Sequence, residues 1–302
     1  MRAIADLRAE HARAGFDVIH AMWADETGVV AALAGKLLRV PVVTSLAGGE
    51  LVRFDEYDYG LQRSRSMRAL VRFALHNATL VSTPCSYTHS LAAQVVPLAK
   101  LRSVPLGVRA DIFTPHDLPP RPVLRRKRAN PHLVAVGSLI PLKRHAALIE
   151  MVARSNVRDL TLEIIGSGPL AARLKQQIAA LGLVGRVTIR PACGRYALPP
   201  RYRAADLHLL DSPHEAFGMV TIEAAACGLP TVACAVGVAA DLAKEGAACA
   251  IEQESFLSAI EGLLREPDWI IEMGNRARAL VEARYTVAAM VDGFVAVYRE
   301  MI

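Results

Sequence analysis

Residues 206–234 read DLHLLDSPHEAFGMVTIEAAACGLPTVAC, and this stretch punctuates itself into a parallel α/β unit. A buried strand ends at Asp211, the loop 212–218 follows, and a helix starts near Met219. Gly228 stops that helix as a left-handed cap residue does, and PTVAC begins the next strand. Gly218 lets the backbone approach a ligand closely, with Phe217 beside it. The amides of Met219 and Val220 are helix-start donors that can hold a phosphate. Glu215 lies in the loop and Glu223 about one turn into the helix, so both can face the crevice at the carboxyl ends of the strands. A carboxylate accepts from two neighbouring hydroxyls, which suits a sugar or a ribose. Taken alone, the same residues also read as a capped helix carrying a surface glutamate pair.

The same rhythm extends both ways along the 302 residues. Strand-like runs start at Asp17, Pro41, Thr79 and Leu101, and a second series starts at Leu133, Thr161, Arg186, Asp206, Pro230 and Ala248. Helix-like runs separate them, which predicts parallel sheets with crossover helices. Apolar residues make up 53% of the chain and aromatics 5%, a balance fitting helices packed on buried strands. The segment 112–132 is rich in proline and basic residues and has no apolar period. It is read as a linker, centred on 116–131, whose cluster Arg125, Arg126, Lys127 and Arg128 is either solvated or set to meet phosphate or membrane. Three helices are expected to close the chain, over 254–265, 268–284 and 287–301.

Further motifs stand at other strand ends. VGSLIPLKRH places Gly137 and Ser138 after a strand and Lys143 and Arg144 before a helix. Cations there would answer the negative charge that grows on a departing diphosphate, although a Lys-Arg pair at a helix start is also ordinary solvated surface. IIGSGP joins a strand to a helix through Gly166 and Gly168, a weak phosphate signal by itself. In the amino-terminal half, Gly48 and Gly49 form a loop followed by Glu50, and His20 ends an earlier strand. His20 reads more readily as a core or edge histidine, which leaves Glu50 the better polar candidate.

In order, spacing and flanking strand, the two glutamates with Phe217-Gly218 after the first and the Glu-Ala-x-Ala-Cys-Gly-Leu-Pro run at the second closely resemble the signature of family-4 retaining glycosyltransferases. The resemblance covers nearly the whole chain. It implies the GT-B architecture: an α/β chain of two Rossmann-like domains, the amino-terminal one incomplete. The expected bounds are 1–115 for the acceptor-side domain, 132–285 for the nucleotide-sugar domain, and 286–302 for a helix returning to the first. It implies Glu215 beside the donor sugar, Glu223 on the ribose, and Lys143 on the diphosphate with Arg144 or Ser138, since Ser138 stands where relatives often have Arg. Gly137, Gly166, Gly168 and Pro191 would line the nucleotide. His20, Gly48, Gly49 and Glu50 would be acceptor-side candidates, with Leu46 where many relatives carry His. The donor would lie in the cleft between the domains. Relatives open with a strand, a glycine-rich loop and further units not found before Asp17, so a truncated product, a misassigned start or a divergent short form is expected.

The expected reaction is therefore transfer of a hexose-type sugar from a nucleotide-diphosphate donor, a co-substrate, to a carbohydrate or lipid-linked acceptor in glycan, polysaccharide or glycolipid synthesis. No cofactor is expected and, with no Asp-x-Asp motif, no required metal. A catalytically impaired sugar-nucleotide-binding protein and a sugar-nucleotide epimerase of the same fold stay open as alternatives. The net charge of +6 suits anionic ligands or an anionic membrane face; a nucleic-acid partner is not expected. Five cysteines without a C-x-x-C argue for a reducing compartment and against a disulfide frame or zinc site. No run approaches the ~20 apolar residues of a membrane span, and the first residues lack the apolar centre of a signal peptide. A cytoplasmic protein, peripheral at the inner membrane face, is the expectation.

Overall fold

The computed structural model describes residues 2–115, 130–252 and 255–302, so most of the expected linker and its basic cluster lie outside the described residues. The chain divides into two compact units: Met1–Leu106 with Ala288–Ile302, and Gly107–Val287.

The first unit runs α1 (Arg2–Ala14), β1 (Ile19–Met22), α2 (Glu26–Leu38), β2 (Val42–Ser45), α3 (Arg65–Asn77), β3 (Leu80–Thr83), α4 (Ser86–Ala92) and β4 (Leu101–Ser103). Its four strands are parallel, in the order β1-β2-β3-β4. β2 and β3 are buried at every position, whereas the edge strands β1 and β4 are buried only in part. That contrast is why the central strands read as unbroken apolar-and-hydroxyl runs rather than as alternations. Asp25 caps α2 by accepting from the Thr27 amide at 2.9 Å, and Ser64 caps α3.

The second unit runs β5 (His132–Val136), α5 (His145–Arg154), β6 (Thr161–Ile165), α6 (Ala171–Ala180), β7 (Val187–Arg190), α7 (Leu198–Ala204), β8 (Leu207–Leu210), α8 (Met219–Ala226), β9 (Thr231–Cys234), α9 (Gly237–Lys244), β10 (Ala248–Ile251), α10 (Phe256–Arg265) and α11 (Pro267–Arg284). Its parallel sheet has the order β10-β9-β8-β5-β6-β7. Strand order therefore reverses between β5 and β8, and in open α/β sheets ligands bind at such a switch point. The last helix, α12 (Val287–Arg299), belongs almost wholly to the first unit, where Phe294, Val297 and Tyr298 pack with Val43, Leu80 and Val104.

All ten expected strands are present, each starting within two residues of its expected place. The first unit closes at Leu106, earlier than the expected 115. The reason is that residues 107–115 are strapped to the second unit. The Val108 amide donates to the Tyr285 carbonyl at 2.8 Å, and Arg278 donates to the carbonyls of Phe113 at 2.9 Å and Ala226 at 2.7 Å.

Candidate functional site

Three loops meet at the carboxyl edge of the second unit's sheet. The loop after β5 passes Gly137 and Ser138, makes a tight turn over Pro141–Lys143, and enters α5 through Arg144 with φ of 48°. The stem of Lys143 lies along Gly137, its carbons 3.7–3.8 Å from where a Cβ would stand. The loop after β8 carries Glu215 and ends at Gly218, whose φ of 90° strongly favours glycine. Lys143 Nζ donates to Glu215 Oε1 in an ion pair, and the side chains are only 18% and 11% exposed. These two residues, 72 positions apart, are thus brought together by the β5–β8 adjacency. Arg144 is turned differently: its Nε donates to Asp211, a buried carboxylate at the end of β8, at 3.1 Å. That bond ties the loop after β5 to the neighbouring strand, while Ser138 stays exposed at the loop's surface.

Gly166 and Gly168 act through backbone proximity. A Cβ on Gly166 would stand 1.9 Å from the Gly137 carbonyl oxygen, and one on Gly168 would stand 2.6 Å from that of Leu139. The two loops are laced together, with the Leu139 amide donating to the Ser167 carbonyl at 3.0 Å and the Leu170 amide to the Leu139 carbonyl at 3.1 Å. Pro191 is exposed just after β7, next to Ala192, whose amide donates to Ser167 Oγ at 3.1 Å.

α8 begins at Met219. Its first reach-back is the Thr221 amide to the Gly218 carbonyl at 2.9 Å, which leaves the Met219 and Val220 amides with no helical acceptor. Glu223 follows one turn later and accepts from the hydroxyl of fully buried Tyr202 at 3.2 Å. Burial pushes the Glu223 carboxyl up to about 7, opposed by that hydroxyl and by the attraction of Arg195. The folded state therefore holds this proton more tightly than the unfolded chain does. The resulting stability is complete below the ordinary value of 4.5 and is lost as pH rises through about 7. Unfolding by urea at pH 5, 6, 7 and 8 is expected to show a fall on the order of 1–3 kcal/mol that Glu223→Gln removes.

Several residues of this site carry no sequence signal strong enough to single them out. Gly237, at the start of α9, has φ of 59°, and a Cβ there would stand 2.4 Å from the Phe217 carbonyl oxygen and 2.9 Å from Glu215 Cβ. The Val238 amide donates to that carbonyl at 2.7 Å and so holds the Glu215 loop in place. Among the described residues, buried side-chain polar atoms without a partner include Ser212 Oγ, Thr221 Oγ1 and both ring nitrogens of His145. All three residues border these loops; Thr44 Oγ1 and His208 Nε2, which are also without a partner, do not. His145 is held neutral at pH 7 because burial, with Lys143 nearby, lowers it to about 4.

In the first unit, His20 is half-buried and bonded through both ring nitrogens. One ring nitrogen meets Tyr298 Oη at 2.6 Å, the other meets Ser45 Oγ at 2.7 Å, and the ring packs on Phe294. With both nitrogens engaged, it fastens α12 to the sheet. Leu46 is buried in the core beside Val71 and Ala74. Glu50 is 2% exposed and accepts from the amides of Ala47 at 3.1 Å and Gly48 at 2.7 Å. Burial raises its carboxyl above the usual range against those amides, so Glu50 shapes the Gly48–Gly49 loop from beneath.

Among the described residues, no helix is long and apolar enough to cross a membrane, and no group of three or more His, Cys, Asp or Glu could hold a metal ion. A family model described as Glycosyl transferases group 1 matches residues 121–284, and one described as Glycosyl transferase 4-like domain matches residues 1–107. The chain is 31% identical over 217 residues to a D-inositol 3-phosphate glycosyltransferase of Geodermatophilus obscurus, covering 66% of this chain and 48% of that protein. It thus spans about half the length of that curated relative. Sucrose-phosphate synthase of Thermosynechococcus elongatus superposes with a TM-score of 0.81 at 22% identity, covering 99% of this chain and 77% of that one. The Anabaena HepE protein in complex with UDP gives 0.81 at 20% identity, covering 99% and 82%. These two solved structures share the α/β fold with its two parallel sheets.

Proposed function

The chain belongs to the glycosyl transferases of group 1, and from that premise we propose that it moves a hexose-type sugar from a nucleotide-diphosphate donor to an acceptor hydroxyl with retention of configuration. The observation that carries the reading is the Lys143–Glu215 pair at the switch point, beside the free amides of α8. In this reading Lys143 and the Met219 and Val220 amides stabilise the negative charge that develops on the diphosphate as the glycosidic bond breaks. Glu215 orients the donor sugar, and Glu223 accepts from the ribose hydroxyls. The UDP bound by the Anabaena neighbour supports a nucleotide-sugar donor. The acceptor is a carbohydrate or a lipid-linked sugar, and charge neutralisation by Lys143 and amides calls for no metal. Peripheral contact with an anionic membrane face belongs to the same reading, supported by α3, which carries Arg65, Arg68 and Arg72 and no carboxylate.

The test is release of nucleoside diphosphate from UDP- and GDP-sugars, with and without a panel of sugar acceptors, in the wild type and in Glu215→Ala. Acceptor-dependent release that the variant abolishes, with its unfolding still cooperative, is expected. Unchanged turnover in Glu215→Ala removes this residue from the site. Donor binding with no release favours the binding-only alternative, and conversion of the free donor without acceptor favours an epimerase.

A further inference from the structure

Beyond β1 and β2, at the carboxyl edge of the first unit's sheet, lies a hollow of about 430 Å³. Its walls include Trp23, Asp25, Gly48, Asp58, Tyr59 and Arg63. The volume falls within the roughly 300–1,000 Å³ of small-molecule sites. We propose that this hollow is a subsite for a sugar ring that bears no anionic group; its role as the acceptor side rests on the glycosyl-transfer reading, whereas the binding itself does not.

The first observation is a strained aromatic residue. Trp23 holds φ of 71° and is 46% exposed. A positive φ on a bulky residue is an outlier whose cost, about 1–3 kcal/mol, must be met by the surrounding structure. Here the Trp23 amide donates to the Ser45 carbonyl at 2.9 Å, and its carbonyl accepts from Thr27 Oγ1 at 3.2 Å. These bonds fix the backbone so that the indole faces solvent instead of entering the core.

Next come the two glycines. A Cβ on Gly48 would stand 3.3–3.4 Å from the indole, and one on Gly49 would stand 2.8–3.2 Å from the Tyr59 ring. The loop thus runs close beneath both aromatic rings, and buried Glu50 holds it there through the Ala47 and Gly48 amides. The floor is therefore built in advance, which lowers the ordering a ligand must supply.

Charge then selects the ligand. The named walls carry the carboxylates Asp25 and Asp58 against one cation, Arg63. Arg63 is already paired with Asp58 and, at 3.3 Å, with Asp55. An incoming phosphate or carboxylate would meet acids and no uncommitted cation. Hydroxyls would find carboxylate acceptors and the exposed indole N–H as a donor, and an amino group would gain from both the acids and the indole face. The Geodermatophilus relative is named for D-inositol 3-phosphate, which is anionic, whereas the proposed ligand of this hollow is not.

The experiment uses the full chain carrying Trp269→Phe, so that Trp23 is its single indole. Its emission is titrated with methyl α-glucoside, glucosamine and glucose 6-phosphate. Saturable changes with the first two are expected, with glucose 6-phosphate at least tenfold weaker. Asp58→Asn, which removes one of the two carboxylates paired with Arg63, should narrow that gap, and Gly49→Ala, which pushes into Tyr59, should abolish all saturation. Equal or tighter binding of glucose 6-phosphate, or no saturation with any of the three, overturns the proposal. UDP binding measured calorimetrically on the same samples tests the donor site proposed in the second unit. Its absence beside retained sugar binding would count against the donor reading and not against this subsite.

Discussion

Replacing Lys143 by Ala is expected to lower acceptor-dependent transfer by roughly 10²–10³-fold, the usual effect of removing one preorganised donor from a site of developing negative charge. The loss should fall on kcat more than on KM, because the stabilised charge grows as the bond to the sugar breaks. Stability is affected too. Without Lys143, the Glu215 carboxylate is left 11% exposed and without this partner, a loss of about 1–3 kcal/mol given partial solvent access. The double variant Lys143→Ala with Glu215→Ala separates the two effects. Removing both charges should restore much of the stability and none of the turnover. Urea unfolding of the four proteins gives the coupling directly. Transfer within a few-fold of wild type in Lys143→Ala would place the diphosphate elsewhere.

Gly166→Ala carries the largest expected stability loss, about 3 kcal/mol or more. Its Cβ would stand 1.9 Å from the Gly137 carbonyl oxygen, and backbone cannot swing aside as a side chain can. Relief requires the loop after β6 to part from the loop after β5, which breaks the bonds from the Leu139 amide to Ser167 and from the Gly137 amide to Ile165, both 3.0 Å. The Lys143 loop would move with them, so donor binding should weaken along with folding. Gly262→Ala is the control. It lies in α10 with nothing within 4 Å of the added Cβ, and it should be neutral or stabilise by about 0.5–1 kcal/mol. Thermal unfolding of both variants, with UDP calorimetry on each, checks the pair; a Gly166→Ala protein as stable as wild type would refute the tight-contact account.

The strands were legible because each one is a short apolar run between turn residues, and burial on both faces demands such runs wherever they sit. The glutamates at 215 and 223 were legible for a related reason: a loop and the helix after it form one local unit, so sequence spacing sets where both carboxylates project. Gly166 was visible as a turn, but its reason is a carbonyl 29 residues away, and spacing along the chain says nothing of that. His20 shows the same limit from the other side. Its partners are Ser45 and Tyr298, the latter 278 residues distant, and only their arrival gives it a structural role.

By itself the sequence determined the alternation of strand and helix, the family signature, and the loops that carry the charged groups, since these depend on local periodicity and turn chemistry. Tertiary structure alone decided that Lys143 meets Glu215, that Arg144 turns to Asp211, that Gly237 supports the Glu215 loop, and that Tyr202 shares in setting the Glu223 proton. Each of those depends on which strands become neighbours and how deeply a group is buried. Neighbour choice is fixed by the packing of the whole sheet, and burial by every element that closes over it.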